Sequence, residues 1–179
     1  MLGLAKEKRI RLIPTQVLVL GFASIIIVGA ILLALPIASS AGKSIGFLNA
    51  VFEATSAVCV TGLVVVDTGR DLSLFGQMVI ITLIQIGGLG FMTMATLVFL
   101  ILGKRITLRE RLVIQEALNE FNLQGVVRLT KSIIGITFLI EGIGAMVLAT
   151  MFIPMYGLVK GIYYSIFHAI SAFCNAGFD

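Results

Sequence analysis

Charge is scarce in this chain. Only 12% of its 179 residues are Asp, Glu, Lys or Arg, whereas 59% are hydrophobic and the mean hydropathy is +1.11. A soluble domain of this size would need a far more polar surface. Histidine and cysteine are scarcer still, at one and two residues. The single histidine, His168, offers no base–nucleophile pair, and zinc-ligand spacing is missing, which argues against a membrane enzyme. Cys59 and Cys174 are too few for a disulfide framework and too far apart in sequence for a metal motif, so they assign no redox compartment.

The gaps between charges carry the class. None falls between Arg11 and Lys43 or between Asp71 and Lys104, and Glu141 alone falls between Lys131 and Lys160. A helix that crosses a bilayer takes about 20 apolar residues, so each gap has room for one. The first run is too long for a signal-peptide core and continues through "LPIASSAGKS" into more membrane-like sequence, so it reads as a retained anchor. The chain is an integral membrane protein by this reading, with the lipid bilayer as its solvent. A net charge of +4 would suggest nucleic acid as the partner of a soluble protein, but here its distribution matters more. Ten of 13 basic residues lie before the first span or between Lys104 and Lys131; only Lys43, Arg70 and Lys160 lie elsewhere. The positive-inside rule puts the N-terminus and the 104–131 segment in the cytoplasm of a multi-pass protein of the cell membrane.

Membrane helices are expected at roughly 15–37, 72–102 and 132–153, with Pro14 at a start and Pro36 and Pro154 at ends. The region from Lys43 to Asp71 must enter and leave by one face. "GFLNAVFEATSA" has helical composition over a length about half the hydrocarbon core, and "VCVTGLVVV" then favours extended chain around a glycine. A half-helix ending near Ser56 and followed by extended backbone is the pattern of a re-entrant loop, tolerated at membrane depth only inside protein or beside a watery cavity.

The loop recurs. Shifted by 115 residues, Phe52, Ala54, Ser56, Ala57, Cys59 and Gly62 fall on Phe167, Ala169, Ser171, Ala172, Cys174 and Gly177, six identities in eleven positions. The unit reads as helix, half-helix, filter-like strand, helix, and parallel copies would surround an axis along the membrane normal. The expected fold class is therefore an all-α membrane protein of helix–re-entrant loop–helix units around a pseudo-symmetric pore. Its divisions are a cytoplasmic segment 1–14, a first repeat 15–103, a cytoplasmic connection 104–131 and the start of a second repeat 132–179. The chain stops inside the second loop, so it is expected to be an incomplete piece of a longer protein.

Glycine in such a loop admits φ > 0, and successive carbonyls aimed at one axis can replace the hydration shell of a monovalent cation. The half-helix would point its negative dipole end at the same place. Candidate ligands are the backbone carbonyls of Cys59, Val60, Thr61 and Gly62 and of Cys174, Asn175, Ala176 and Gly177, with the Thr61 hydroxyl as a further candidate. A loop that only packs, in a non-transporting scaffold or sensor, is the alternative.

The stretches "ATSAVCVTGLVVVDTG", "LIQIGGLGFMT", "RERLVIQEALN" and "HAISAFCNAGF" resemble the membrane subunit of the Ktr potassium-uptake system, within the Trk/Ktr/HKT superfamily. The resemblance runs along essentially the whole chain. It implies K⁺ uptake with no resident cofactor or metal, four such units around one pore, and Na⁺ as a candidate coupling ion of a symporter. It also implies homodimeric membrane subunits on a ring of cytosolic nucleotide-binding regulatory subunits. Many relatives carry a hydroxyl or small residue at the position of Cys59, so its thiol is expected to be dispensable. A single glycine in "VTGL" and in "NAGF" suggests a shorter coordinating stretch than two-glycine filters have, and hence weaker discrimination of K⁺ from Na⁺.

Other features have two readings each. "IGGLG" at 86–90 breaks the dinucleotide-binding spacing and lies mid-span, so it reads as close helix packing by small residues. Glu141 lies inside a span and is either part of an ion path or a buried hydrogen bond to Ser, Thr or a backbone carbonyl. Glu53 and His168 are equivalent under the 115-residue shift and are either anchors behind the filter or direct ligands. Asp67 either attracts cations outside the filter or is a solvated loop carboxylate. Thr107 to Phe121 reads as an amphipathic helix, at the lipid interface or, by the resemblance, under the regulatory ring.

Overall fold

The computed structural model describes residues 14–90, Thr93, Leu112 and 126–178. Among them the regular elements are helical: α1 (Pro14–Ala34), a single 3₁₀ turn (Pro36–Ala38), α2 (Phe47–Cys59), α3 (Leu74–Leu89), α4 (Val126–Tyr156) and α5 (Leu158–Phe173). Strands are absent among the described residues apart from one isolated antiparallel bridge, Ser39 to Leu72. Two stretches, Gln16–Ala34 and Arg128–Tyr156, are long and apolar enough to cross a membrane. Val19, Leu20, Ile27, Val28 and Ile31 on α1 and Met146, Val147 and Met151 on α4 are all exposed. Apolar faces this continuous belong against lipid.

α2 is short and central. Its 13 residues reach about 20 Å, well under the ~30 Å hydrocarbon core. Ala50, Ala54 and Ala57 are fully buried at helical spacing, and small side chains there let α1 and α3 close on the helix. The core joins Ala30 and Leu33 of α1 and Ile80, Leu83 and Ile84 of α3 to α2, and continues into Phe167, Ala176 and Phe178. α5 repeats the arrangement against α4, with Gly157 at φ 81° as the one residue between the two helices. Gly161 permits their approach, since a Cβ there would lie 2.6 Å from Ile153 Cα.

The C-terminal end of α1 and the N-terminal end of α3 are zipped by loop hydrogen bonds. Ser73 N–H donates to Ala38 O (2.9 Å), Ser40 N–H to Asp71 O (2.9 Å) and Ser40 Oγ to Arg70 O (2.6 Å). The Ser73 hydroxyl also caps α3 by accepting from Gly76 N–H.

Helices α1 and α4 fall on the first and third expected spans with altered ends, and α3 covers the described part of the second. α4 is already helical at Val126, the first described residue of this stretch and six before the expected start at 132, and carries Pro154 in its last turn rather than stopping ahead of it. Arg128 and Lys131 are exposed on its first turns. Both are good helix formers whose long stems let the charge reach the membrane surface. α3 ends at Leu89, where Gly90 takes φ 78°. The remainder of the span expected to 102 lies outside the described residues except Thr93, as does the expected 107–121 helix except Leu112.

Candidate functional site

α2 does not stop near Ser56 but continues to Cys59, after which Val60 turns left-handed at φ 56°, ψ 44°. Thr61 N–H then donates to Ser56 O (3.0 Å) and Val60 N–H to Ala57 O (3.3 Å). This pair of bonds is a Schellman motif, which closes the helix and redirects the chain. Gly62 follows at φ 72°.

The second loop repeats this turn residue for residue. Ala176 N–H donates to Ser171 O (2.7 Å) and Asn175 N–H to Ala172 O (3.0 Å), and Asn175 and Gly177 stand at φ 55° and 72°. Each of these positions is its counterpart plus 115. The matched backbone includes positions at which the two sequences differ, Val60 against Asn175 and Thr61 against Ala176.

Sequence reasoning anticipated positive φ at the glycines and missed it at Val60 and Asn175. Asparagine is one of the residues that visit this region readily; a β-branched valine is an outlier there. The β-branched run around Val60 points toward extended chain, so only the 115-residue alignment with Asn175 could have suggested otherwise.

The two loops meet. A Cβ on Gly62 would lie 2.7 Å from Ala176 O and 3.5 Å from Gly177 Cα. The structure thus brings Thr61, Gly62, Ala176 and Gly177 to one place. Cys59 is the last residue of α2 with its thiol exposed, and Cys174 is half-buried just past α5; both thiols are free. Thr61 Oγ1 lies 2.9 Å from Ser56 Oγ, so this hydroxyl braces the turn. Ser171 Oγ braces the other by donating to Phe178 O (2.6 Å).

α3 holds the ends of both short helices. A Cβ on Gly87 would collide with the Val58 carbonyl oxygen and lie 2.8 Å from its carbon, and one on Gly88 would lie 2.5 Å from Cys174 Sγ. "IGGLG" therefore does what small-residue packing predicts. One turn earlier, Gln85 Nε2 donates to Glu141 Oε1 (2.9 Å), with both residues buried. Near the N-terminal end of α3, Tyr163 Oη donates to Gln77 Oε1 (3.0 Å). Glu141 thus has a buried side-chain partner, a glutamine rather than the Ser, Thr or backbone carbonyl anticipated.

Removing one side of the Gln85–Glu141 bond strands the other. Glu141→Leu should cost about 1–3 kcal/mol, because the Gln85 amide is left unsatisfied. The double variant Gln85→Leu/Glu141→Leu should recover most of that loss, as both polar groups are gone. Thermal unfolding of the detergent-solubilised protein measures both, and a double variant no more stable than Glu141→Leu would show that the bond is not what matters.

The remaining candidates separate. The Glu53 carboxylate is fully buried and accepts from Val65 N–H (2.7 Å) and Val66 N–H (3.1 Å) through Oε1. Its counterpart His168 instead has Nδ1 2.8 Å from the Tyr164 carbonyl oxygen of its own helix. Asp67 is occupied in a local turn, accepting from Arg70 N–H (2.9 Å) and lying 3.7 Å from the Arg70 guanidinium. Among the described residues no group of three or more His, Cys, Asp or Glu could hold a metal ion.

Comparison with known proteins gives a consistent picture. The profile of the TrkH family, described as a cation transport protein, matches residues 13–179. The chain is 52% identical over 172 residues to the Ktr system potassium uptake protein B of Bacillus subtilis, covering 96% of this chain and 38% of that protein. It is 48% identical over 174 residues to the potassium/sodium uptake protein NtpJ of Enterococcus hirae, covering 97% and 39%. Identity to the Ktr system potassium uptake protein B of Vibrio alginolyticus is 40% over 163 residues, covering 91% and 35%. The chain therefore spans well under half the length of these relatives.

Proposed function

The chain belongs to the TrkH family of cation transport proteins, and from that membership we propose that it builds part of a potassium-uptake pore. K⁺ sheds water at a filter of backbone carbonyls and crosses down its electrochemical gradient without covalent chemistry. The observation that carries this reading is the matched pair of turns. Two loops with the same left-handed residues and the same Schellman bonds meet at Gly62 and Gly177. A loop that merely packs has no need of two φ > 0 positions at one spacing in both copies. The ligands are the carbonyls of Cys59, Val60, Thr61 and Gly62 and of Cys174, Asn175, Ala176 and Gly177.

Around the pore axis these two loops are half of a ring of four, completed by parts of a longer protein. The 38% and 39% coverage of the relatives supports that share. The names of those relatives support K⁺ as the transported ion, Na⁺ as a second or coupling ion, and a multi-component system. In that assembly the membrane subunit is a homodimer gated by cytosolic nucleotide-binding subunits. Its N-terminus is cytoplasmic, as the clustering of basic residues supports.

The test is uptake of Rb⁺ into liposomes carrying the full-length protein. Uptake should exceed that of empty liposomes and should fall when Na⁺ is added in large excess, because one glycine per loop leaves few obligatory carbonyl layers. Absence of uptake would overturn the pore; indifference to Na⁺ would overturn the weak-discrimination reading alone.

A further inference from the structure

The backbone after Gly62 is fixed at two points. The first is the Schellman bond from Thr61 N–H to Ser56 O. The second is Glu53, one turn back on the same helix, whose Oε1 receives the N–H groups of both Val65 and Val66. Between Thr61 and Val65, no backbone N–H of the loop makes a hydrogen bond among the described residues. Gly62, Leu63 and Val64 thus span the interval between two anchors on one helix. Because residues 65 and 66 lie beside residue 53, the outgoing leg runs back along α2, and the carboxylate sets its distance from the helix.

The placement is costly enough to need a reason. Glu53 is 0% exposed in an apolar setting, and its Oε2 has no hydrogen-bond partner among the described residues. A buried carboxylate that accepts through one oxygen only is expensive. An apolar side chain could fill the space but could not hold two adjacent amides.

We infer that Glu53 is a positioning residue for ion discrimination, holding the Val65 and Val66 amides so that the Gly62 carbonyl keeps its aim. It touches no ion. This inference rests on the pore reading above and goes beyond it by assigning selectivity to a side chain behind the loop.

A crossed pair of variants in the full-length protein tests it. Glu53→Gln removes the charge and keeps an acceptor oxygen at the same reach. Glu53→Asp keeps the charge and withdraws the acceptor by about 1.5 Å, one carbon–carbon bond. The measurement is the ratio of Rb⁺ uptake into liposomes without and with excess Na⁺. Glu53→Asp should worsen that ratio by about tenfold, of the order that losing the hydrogen bonds to Val65 and Val66 produces. Glu53→Gln should stay within about twofold of the unmodified protein.

If Glu53→Gln loses discrimination as much as Glu53→Asp does, charge rather than position is at work and the inference is overturned. Unmodified discrimination in both variants overturns it equally. Absence of Rb⁺ uptake by the unmodified protein removes the pore reading, and this inference with it.

Discussion

Replacing Gly62 with valine should abolish K⁺-dependent growth of an uptake-deficient strain while leaving the protein in the membrane. Two effects act on that residue, and their sizes differ. A left-handed backbone costs an L-residue roughly 1–2 kcal/mol. That alone is survivable, since Val60 already stands at φ 56° two residues earlier. The larger effect is steric. The first atom of any side chain on Gly62 would lie 2.7 Å from the Ala176 carbonyl oxygen, a backbone atom of the facing loop. Backbone held by the Ala176-to-Ser171 bond cannot swing aside as a side-chain tip would. The two loops must part, and the carbonyls proposed to replace water around K⁺ lose their common focus.

The same comparison ranks a second substitution. Gly177 has the same φ of 72°, but a Cβ there would meet only Gly62 Cα, at 3.4 Å, an ordinary contact. Gly177→Ala should therefore slow Rb⁺ uptake less than Gly62→Ala. Equal loss in the two would show that backbone conformation dominates, and growth of Gly62→Val at the unmodified rate would refute the filter assignment.

How much of this was legible beforehand depends on the range of each interaction. The charge gaps and the alanine-spaced half-helix follow from solvation and local periodicity, and the spans and α2 lie close to where the composition puts them. The 115-residue echo was readable because both copies need the same small residues against their helices. The left-handed turn at Val60 was not, because a Schellman bond outweighs a local β preference and nothing in "CVTG" announces it. Partners remote in sequence were equally hidden. Glu141 meets Gln85 across 56 residues, and Glu53 reaches forward 12 and 13 residues to two amides whose side chains are plain valines. Those contacts depend on where α3 and the loop settle, which periodicity does not encode. The same holds for α4, which is already helical at Val126 and overrides a boundary drawn from basic residues that the helix accommodates.

The adjacent glycines of α3 should differ sharply in what they tolerate, although sequence gives them identical standing. Gly87→Ala places a methyl group into the Val58 carbonyl, near the end of the first short helix. That carbonyl is backbone of a helix packed between α1 and α3, with Ala57 and Val58 buried, so α2 or α3 must shift. Overpacking of this kind costs about 1–3 kcal/mol, and more where backbone has to move. Uptake should fall further than stability, because the shift is delivered to the turn that carries Val60 and Gly62. Gly88→Ala instead meets a side chain, with Cys174 Sγ at 2.5 Å and Cβ at 2.9 Å. A thiol can rotate, and Cys174→Gly removes both atoms. Gly88→Ala should accordingly be impaired and substantially restored by Cys174→Gly, whereas Gly87→Ala should not respond to that second change. Rb⁺ uptake by the four variants decides the matter. Rescue of Gly87→Ala by Cys174→Gly, or failure to rescue Gly88→Ala, would mean that α3 does not hold the two short helices by these separate contacts.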